Sequence, residues 1–374
     1  MVANQELASD GHQVFQDPVV PKVGSDNKPS GHKSQKRRSR DADLGSDNEP
    51  KRSRSERSTV TLAGVQQEVK RREKKKKKSV RTAMKTVIEA ADQADFKLKY
   101  EQHKQLGEGG YGAVFAGVRI SDQQPVAIKY IHKPTVLFVP MEFKNKVHDV
   151  PAEVLLMALA APNHEPIGRS PSVSLLEWFN LDNGHIVLVM ERPTPSIDLF
   201  DYCLQNVPLP EEKAKEVMQQ VVEALVDLHS KKVFHRDIKL ENLLVQTTES
   251  GPRIRIIDFG CSCVVQSQTF QSEFIGTFDF APPEYFQNNS YCPGPTSVWQ
   301  TGALMYELLH SNDQSDFTTQ NAMEGNISAP SGVSQECCDF LQACLTLNPE
   351  QRISLDQLSH HPWFKKNRRS EDGA

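Results

Sequence analysis

Two short runs of polar residues restrict most strongly how this chain of 374 residues can fold. The first, His235–Asn242 (HRDIKLEN), brings a carboxylate, a cation and an amide into one short loop. About 16 residues later, Ile256–Gly260 (IIDFG) places an aspartate directly after an apolar strand. A chance occurrence of both runs in this order is negligible. Because carboxylate and amide oxygens are ligands for Mg²⁺, any fold must bring the loop and the later aspartate to one site.

The two runs carry the side chains that the transfer of a phosphoryl group requires. Asp237 can orient a substrate hydroxyl and accept its proton, and Lys239 can neutralise charge on the group in transfer. Asn242 and Asp258 supply the amide and carboxylate oxygens for Mg²⁺. The sequence therefore predicts catalytic roles for Asp237 and Lys239 and a metal site beside them.

Gly107, Gly109 and Gly112 have the spacing G-x-G-x-x-G, which also occurs in dinucleotide-binding folds. In those folds a helix opens at the last glycine, whereas Ala113–Val118 is strand-like. A glycine-rich turn between two strands is typical of a flap over phosphates, where backbone N–H groups approach the anion. An ordinary glycine-rich hairpin is the alternative. The predicted nucleotide contacts here are Leu106, Gly107, Glu108, Gly109, Gly110, Tyr111, Gly112, Ala113 and Val114.

Lys129 ends the apolar run Val126–Lys129 (VAIK). A lysine at the end of such a strand has little reason to point inward unless it meets an anion. It is predicted to clamp the α- and β-phosphates of a nucleotide and to be held by a helix carboxylate. Glu153 is the best candidate for that carboxylate, and Glu142 is its competitor. A solvated surface lysine is the alternative.

The chain divides by composition into a basic arm and an acidic body. Residues 1–95 carry 21 Lys and Arg against 14 Asp and Glu and have little apolar periodicity, which predicts a disordered arm. Basic clusters at 36–40, 51–54 and 70–78 are typical of segments bound by nuclear-import receptors or attracted to nucleic acid. Because no aromatic residues interleave with these charges, specific nucleic-acid binding is not favoured.

The pattern after the arm changes from strands to helices. Runs within 113–118, 125–131 and 185–190 predict strands, and Ala152–Ala160 predicts one helix among them. An amphipathic helix is predicted around 217–225 and a fully buried one over 298–309. No signal peptide or membrane span is expected, and the seven cysteines are expected to be reduced thiols that hold no metal. The cytoplasm and nucleus are the predicted locations.

These motifs together resemble the eukaryotic protein-kinase domain, over roughly three quarters of the chain. Ala281–Glu284 (APPE) is similar to the motif that closes the activation segment, and Arg352 matches the arginine that pairs with Glu284. The resemblance implies an α+β bilobal fold, with a small antiparallel-sheet N-lobe holding one main helix and a larger, mostly helical C-lobe. It also implies ATP and Mg²⁺ in the cleft. Lys239 and Gly276–Thr277 resemble the serine/threonine branch.

The resemblance sets the expected domain limits. The kinase domain is expected over residues 96–367, with an N-lobe at 96–190, a hinge at 191–197 and a C-lobe at 198–367. Residues 368–374 would form a short tail. We expect a monomer.

The hinge, Glu191–Asp201 (ERPTPSIDLFD), is similar to that of the Pim family. Pro193 has no N–H group and cannot donate the second hinge hydrogen bond that adenine usually receives. Val150–Leu156 and Val298–Trp299 also look like Pim, and the first of these supports Glu153 as the partner of the lysine. Adenine is then expected to depend on the Glu191 carbonyl and on apolar contacts. The resemblance adds these nucleotide contacts: Val114, Ala127, Lys129, Glu191, Asp198 and Leu244.

The Pim resemblance also implies a substrate class. Asp198, Asp201, Glu241 and Glu273 match or lie near positions where Pim kinases gather acids to hold substrate arginines. We therefore expect serine or threonine sites preceded by Arg or Lys, and ordinary solvating acids are the alternative. The segment 310–317 departs from the family pattern, so that part of the C-lobe is expected to be looser or rebuilt.

Regulation and two competing functions complete the predictions. Arg236 could pair with a phosphate on the activation segment, where the candidates are Ser267, Thr269, Ser272 and Thr277. Since Pim-like kinases are thought to stay active without that phosphate, activity is expected in unphosphorylated protein.

Two competing functions are weighed against an active kinase. A pseudokinase scaffold would normally have lost Lys129, Asp237 or Asp258. A nucleic-acid-binding protein driven by the basic arm would bind with steep salt dependence.

Overall fold

Residues 85–110, 112–162, 166–206, 209–265, 271–310 and 317–365 are described by the structure, a computed structural model. All of them lie in one unit of the chain, Val60–Ala374. The three basic clusters, the tail at 368–374 and most of the segment 310–317 lie outside the described residues. Their predicted roles, the disorder of the arm and the predicted locations stay predictions.

A five-stranded antiparallel sheet forms the N-lobe, in the order β1-β2-β3-β7-β6. Its β-branched residues fit a pleated surface, and the strand at 185–191 is buried on both faces. The predicted strands within 113–118, 125–131 and 185–190 are confirmed. The seven N-lobe strands are β1 (Tyr100–Gly109), β2 (Gly112–Arg119), β3 (Gln124–His132), β4 (Phe138–Phe143), β5 (Lys146–Pro151), β6 (Leu175–Asn180) and β7 (His185–Glu191).

Helices and a hairpin accompany the sheet in the described part of the N-lobe. The predicted helix Ala152–Ala160, here α2, is confirmed with the same bounds, and it buries Val154, Leu156 and Met157. The hairpin β4–β5 directly before it was not predicted. Helix α1 (Gln93–Lys99) begins after Asp92, whose carboxylate accepts a hydrogen bond from the Ala94 N–H at 2.9 Å.

The fold extends upstream of the predicted limit at residue 96. Residues 85–88 are helical, and Val87 and Ile88 are buried. The Trp178 indole N–H donates to the Val87 carbonyl at 3.0 Å, and the Ala91 N–H donates to the Trp178 carbonyl at 2.9 Å. The predicted arm therefore extends too far along the chain. Residues 85–88 are too few to show an apolar periodicity, but their contacts with β6 hold them in the fold. The other domain limits stay predictions.

Helices dominate the C-lobe, as predicted. Helix α4 buries Val217, Met218, Val221, Val222 and Leu225 along one face, and α6 is buried almost all round. The helices are α3 (Leu199–Asn206), α4 (Glu211–Ser230), α5 (Pro283–Asn288), α6 (Pro293–Leu309), α7 (Thr319–Met323), α8 (Gln335–Cys344) and α9 (Leu355–Leu358). No helix of the described residues combines the length and apolar character needed to cross a membrane.

Short strands frame the cleft side of the C-lobe. They pair in the order β11-β10-β8 and as the pair β12-β9. The run His235–Asn242 lies between β9 and β10, and the Asp258 motif follows β11, so one antiparallel pair brings both runs together. The strands are β8 (Ser196–Asp198), β9 (Val233–Phe234), β10 (Leu243–Thr248), β11 (Gly251–Ile256) and β12 (Cys263–Val264).

Candidate active site

The glycine-rich run is the turn of the β1–β2 hairpin, where Gly109 pairs with Gly112. A strand follows the last glycine, so the structure does not have the helix of a dinucleotide-binding fold. A Cβ atom on Gly107, Gly109 or Gly110 would meet nothing within 4 Å, which leaves the turn open to a ligand. Gly112 has a φ of 117°, and a Cβ there would collide with the Tyr130 carbonyl. Tyr111 lies outside the described residues.

Lys129 lies on β3 and is 3% exposed. Its Nζ donates to Glu153 Oε1 at 2.7 Å and to Asp258 Oδ1 at 2.8 Å. Glu142 is exposed on the β4–β5 hairpin, so the structure places Glu153 and not its competitor beside the lysine. Burial alone would lower the pKa of Lys129, but the two carboxylates outweigh it and raise this pKa above its ordinary value. Lys129 therefore stays a cation in the cleft.

Asp237 lies at the centre of a hydrogen-bond network. Its Oδ1 accepts from the Thr277 N–H at 2.8 Å and from the Thr277 hydroxyl at 2.7 Å. Its Oδ2 accepts from Asn242 Nδ2 at 2.9 Å. Lys239 Nζ donates to the Thr277 hydroxyl oxygen at 2.9 Å and lies 3.5 Å from Asp237 Oδ2. The carboxylate and the ammonium group are thus held side by side by the activation segment.

Asn242 and Asp258 have the chemistry of a magnesium site. The Asn242 amide nitrogen donates to Asp237, which leaves its carbonyl oxygen as the atom for a metal. Although burial raises the pKa of Asp258, the charge and hydrogen bond of Lys129 together with the Gly260 N–H outweigh it and lower this pKa, so the carboxylate is ionised. An oxygen-only pair suits Mg²⁺, which is held by few protein ligands together with phosphates and water. The residues present therefore fit this ion.

Two further side chains of this region were not predicted. Gln300 on α6 is fully buried, and its Nε2 donates to the Arg236 carbonyl at 2.6 Å. Its Oε1 accepts from the Ile238 N–H at 3.4 Å, so it binds the backbone on both sides of Asp237. His235 Nε2 lies 3.0 Å from the Ile257 carbonyl, which links the catalytic loop to the segment before Asp258. A buried glutamine in an apolar helix was the available signal for Gln300.

Arg236 is buried, and its guanidinium donates to the Cys261 carbonyl and, at 3.2 Å, to the Ser262 carbonyl. Its fixed fork of donors is thus already engaged by backbone of the activation segment. Of the predicted phosphate sites, Ser267 and Thr269 lie outside the described residues. Ser272 is exposed, and Thr277 is bound to Asp237.

The hinge lies between β7 and β8. The Glu191 side chain makes a buried bidentate pair with Arg255, with both N–O distances at 2.8 Å. Its carboxylate is therefore occupied, and only its backbone faces a nucleotide base. The predicted apolar contacts come from three strand pairs: Val114 opposite Lys129, Ala127 opposite Met190, and Leu244 opposite Asp198. Leu106 on β1 is 47% exposed.

The predicted substrate acids lie on different elements. Asp198 ends β8 directly before α3, where its Oδ1 accepts from the Asp201 N–H at 2.7 Å, and Asp201 is exposed. Glu241 is exposed in the turn at 240–242, which packs against α3. Glu273 is exposed on the activation segment. The first three acids thus lie on α3, directly before it or on the turn that packs against it, and Glu273 belongs to a separate segment.

Glu307 on α6 is an acid near this group that was not predicted. Burial, reinforced by the charge of Glu241, raises the pKa of Glu307 to about 8, and the charge of Lys239 opposes this rise. Glu307 and Asp198 both act on the Cys203 thiol, whose pKa burial raises to about 12. Glu307 therefore lies among the charges of Glu241, Lys239 and Asp198. It was missed because the apolar pattern of α6 suggested packing only.

Glu284 and Arg352 form the predicted structural pair. The Arg352 guanidinium is 0% exposed and lies 3.1 Å and 2.8 Å from the two Glu284 carboxylate oxygens. It also donates to the Pro295 carbonyl at 2.9 Å and lies over the Trp299 ring, 5.0 Å from its centroid. The pair ties the end of the activation segment to α6.

Comparison with known proteins gives a uniform result. Residues 100–364 match the family model described as the protein kinase domain. The chain is 33% identical to serine/threonine-protein kinase pim-2 of Danio rerio, over 73% of this chain and 86% of that protein. It is 31% identical to serine/threonine-protein kinase prk-2 of Caenorhabditis elegans, over 74% of this chain and 60% of that protein. It is 30% identical to serine/threonine-protein kinase PSK2 of Saccharomyces cerevisiae, over 70% of this chain but only 23% of that protein.

Proposed function

The chain belongs to the protein kinase family and is a serine/threonine kinase, and on this premise we propose its site residues, its substrate class and its mode of activation. The proposed enzyme phosphorylates serine or threonine preceded by arginine or lysine. It does so without a phosphate on its own activation segment. The observation that carries the proposal is the Asp237–Thr277–Lys239 network, in which the Thr277 N–H and hydroxyl hold the carboxylate beside the ammonium group.

The proposed chemistry uses the chain's own groups in defined roles. Asp237 orients the substrate hydroxyl and takes its proton as the oxygen forms a bond to the γ-phosphorus and the bond to the ADP oxygen breaks. Lys239 offsets charge on the group in transfer, and Lys129, held by Glu153, binds the α- and β-phosphates. Asn242 and Asp258 would hold Mg²⁺, which neutralises phosphate charge when bound. No other residue is needed to remove the proton.

The contacts of Arg236 support activity without phosphorylation. In kinases that require a phosphate, the phosphate orders the segment by pairing with arginine. Here the Arg236 guanidinium already binds two carbonyls of that segment, and Thr277 at its far end binds Asp237. Because these bonds already hold both ends of the segment, the further ordering that a phosphate would supply is small.

The acidic group supports the substrate class. Asp198, Asp201 and Glu241 lie at α3 and the turn packed against it, Glu307 lies near Glu241, and a guanidinium binds carboxylates bidentately. Burial, reinforced by the charge of Glu241, raises the pKa of Glu307, and a substrate guanidinium beside it would favour the carboxylate form.

The direct test is phosphate transfer from Mg-ATP by phosphatase-treated enzyme to a serine peptide with preceding arginines. The comparison peptide has alanine at each arginine. We expect transfer, with kcat/KM at least about tenfold higher for the arginine peptide, because each charged hydrogen bond contributes about 1.5–3 kcal/mol. Lys129→Met should abolish transfer to both peptides.

Each part of the proposal can fail separately in this test. Equal kcat/KM for the two peptides would contradict the basic preference. Activity lost on phosphatase treatment and restored by rephosphorylation would contradict activation without phosphate. No transfer under any condition would contradict the assigned catalytic residues and favour a scaffold.

Glu307→Gln should raise KM for the arginine peptide about tenfold with little change in kcat, because a buried partner of the guanidinium is lost. For the wild type, that KM should fall as pH rises from about 7 to 9, since the carboxylate form becomes available as Glu307 ionises near pH 8. The variant should lack this pH dependence.

The same raised pKa implies that Glu307 lowers the free energy of unfolding as pH rises from 4.5 through 8.

Peptide kinetics from pH 6.5 to 9 check the predicted changes in KM. Glu336→Gln, which removes an exposed acid from α8, is the matched control and should behave as wild type. An unchanged KM in Glu307→Gln would place this acid outside the substrate site.

A further inference from the structure

Helix α2 carries Glu153 in its first turn and ends at Ala160 without a cation of its own in the last turn. The last carbonyls of a helix have no partner within it, and they carry the negative end of the helix dipole. A positive side chain from elsewhere can therefore bind this end strongly. The helix has nine residues, or about 13 Å, and because a helix this short moves as one body, a displacement of one end is passed to the other.

That side chain is Lys231, which follows α4 in the C-lobe. Its Nζ donates to the Ala160 carbonyl at 2.8 Å and to Asp227 Oδ2 at 2.7 Å. The Lys231 side chain is only 21% exposed, so this charged bond is partly shielded from solvent. A residue of the large lobe thus binds the end of the helix that supplies Glu153.

Two arginines on β11 bind the chain that follows the helix. The Arg253 guanidinium donates to the Gly168 and Arg169 carbonyls and, at 3.1 Å, to the Ser170 carbonyl. Arg255 donates to the Ser172 carbonyl at 3.1 Å. The Ile256 N–H also donates to the Pro171 carbonyl at 2.8 Å. Residues 168–172 are therefore attached to the C-lobe by successive carbonyls.

We infer that Lys231 and Arg253 are positioning residues for phosphoryl transfer. They hold the C-terminal end of α2 and residues 168–170 on the C-lobe, so that Glu153 meets Lys129. This inference rests on the proposed function, because it takes the Lys129–Glu153 pair as the clamp on ATP. Neither residue touches the nucleotide or the substrate, and both act through the placement of α2.

The test compares Lys231→Met with wild type by hydrogen–deuterium exchange of α2 and by steady-state kinetics. We expect α2 amides to exchange faster in the variant without nucleotide, whereas α6 amides keep the wild-type rate. We expect KM for ATP to rise about tenfold, the effect of losing one charged hydrogen bond, with a smaller fall in kcat. Lys231→Arg, which keeps the cation, should restore both values.

Lys232→Met is the matched control, since Lys232 is the exposed neighbour and its ammonium group has no hydrogen-bond partner in the described part of the chain. Equal α2 exchange and equal KM for ATP in Lys231→Met and Lys232→Met would overturn the inference. If Lys231→Met does not fold, Arg253→Met carries the same expectation and the same contrary result. Exchange is measured without phosphate transfer, so a failure of the proposed function leaves this comparison decisive.

Discussion

Replacing Asp237 with asparagine is expected to lower kcat about 10²- to 10⁴-fold, the usual contribution of a positioned general base. Asparagine has nearly the same shape but cannot take the proton of the substrate hydroxyl. The two Asp237 oxygens accept hydrogen bonds from Thr277 and Asn242. In the variant an NH₂ group replaces one of these oxygens and would face another hydrogen-bond donor. KM for ATP should change little, since Lys129 and Asp258 lie on other elements.

Steady-state kinetics with the arginine peptide measure this effect, and a thermal melt confirms that the variant is folded. Asp149→Asn serves as the matched control, because Asp149 is exposed on β5, far along the chain from the catalytic loop. A kcat within tenfold of wild type in Asp237→Asn would show that another group removes the proton.

Arg352→Met is expected to lower the free energy of unfolding by about 3–5 kcal/mol, because it leaves the buried Glu284 carboxylate without its partner. This loss of unfolding free energy arises because the ion pair is buried, and not because its two charged groups are close together. Lys213 and Glu216 on α4 form an ion pair with the same 2.8 Å separation, but their side chains are 50% and 53% exposed. Lys213→Met should therefore cost at most about 1 kcal/mol.

Urea unfolding followed by circular dichroism gives both values from the shift in midpoint. The double variant Arg352→Met/Glu284→Gln should recover part of the loss, since no uncompensated charge is then buried. If Arg352→Met is too unstable to purify, Glu284→Gln reports the same pair. Equal losses in Arg352→Met and Lys213→Met would mean that the buried pair adds no more than a surface one.

Much of the fold followed from local pattern. The bounds of α2 and the apolar faces of α4 and α6 were predicted, because helical periodicity depends on residues only three or four positions apart. The β4–β5 hairpin was missed because its residues lack a clear alternation of polar and apolar side chains. The start of the fold was placed too late because Val87 and Ile88 are held by a distant partner, Trp178.

The residues of the candidate site were likewise predictable only where they lie close together along the chain. Asp237, Lys239 and Asn242 could be assigned together, because a loop of a few residues keeps them close in any fold. Asp258 could be added because it ends a strand at a short distance along the chain. The alternative partners of Lys129 could not be separated with certainty from sequence, since both carboxylates lie within 24 residues of it and either could have turned inward.

The sequence by itself determined the family, the type of chemistry and the residues of the catalytic loop, because these depend on side-chain types at short and regular spacings. The tertiary structure decided the pairings between distant segments. It placed Glu153 and not Glu142 beside Lys129, Gln300 behind Asp237, Glu307 near Glu241, and Lys231 at the end of α2. Such pairings depend on how the lobes pack, and a buried charge or amide takes whichever partner that packing brings within hydrogen-bond distance.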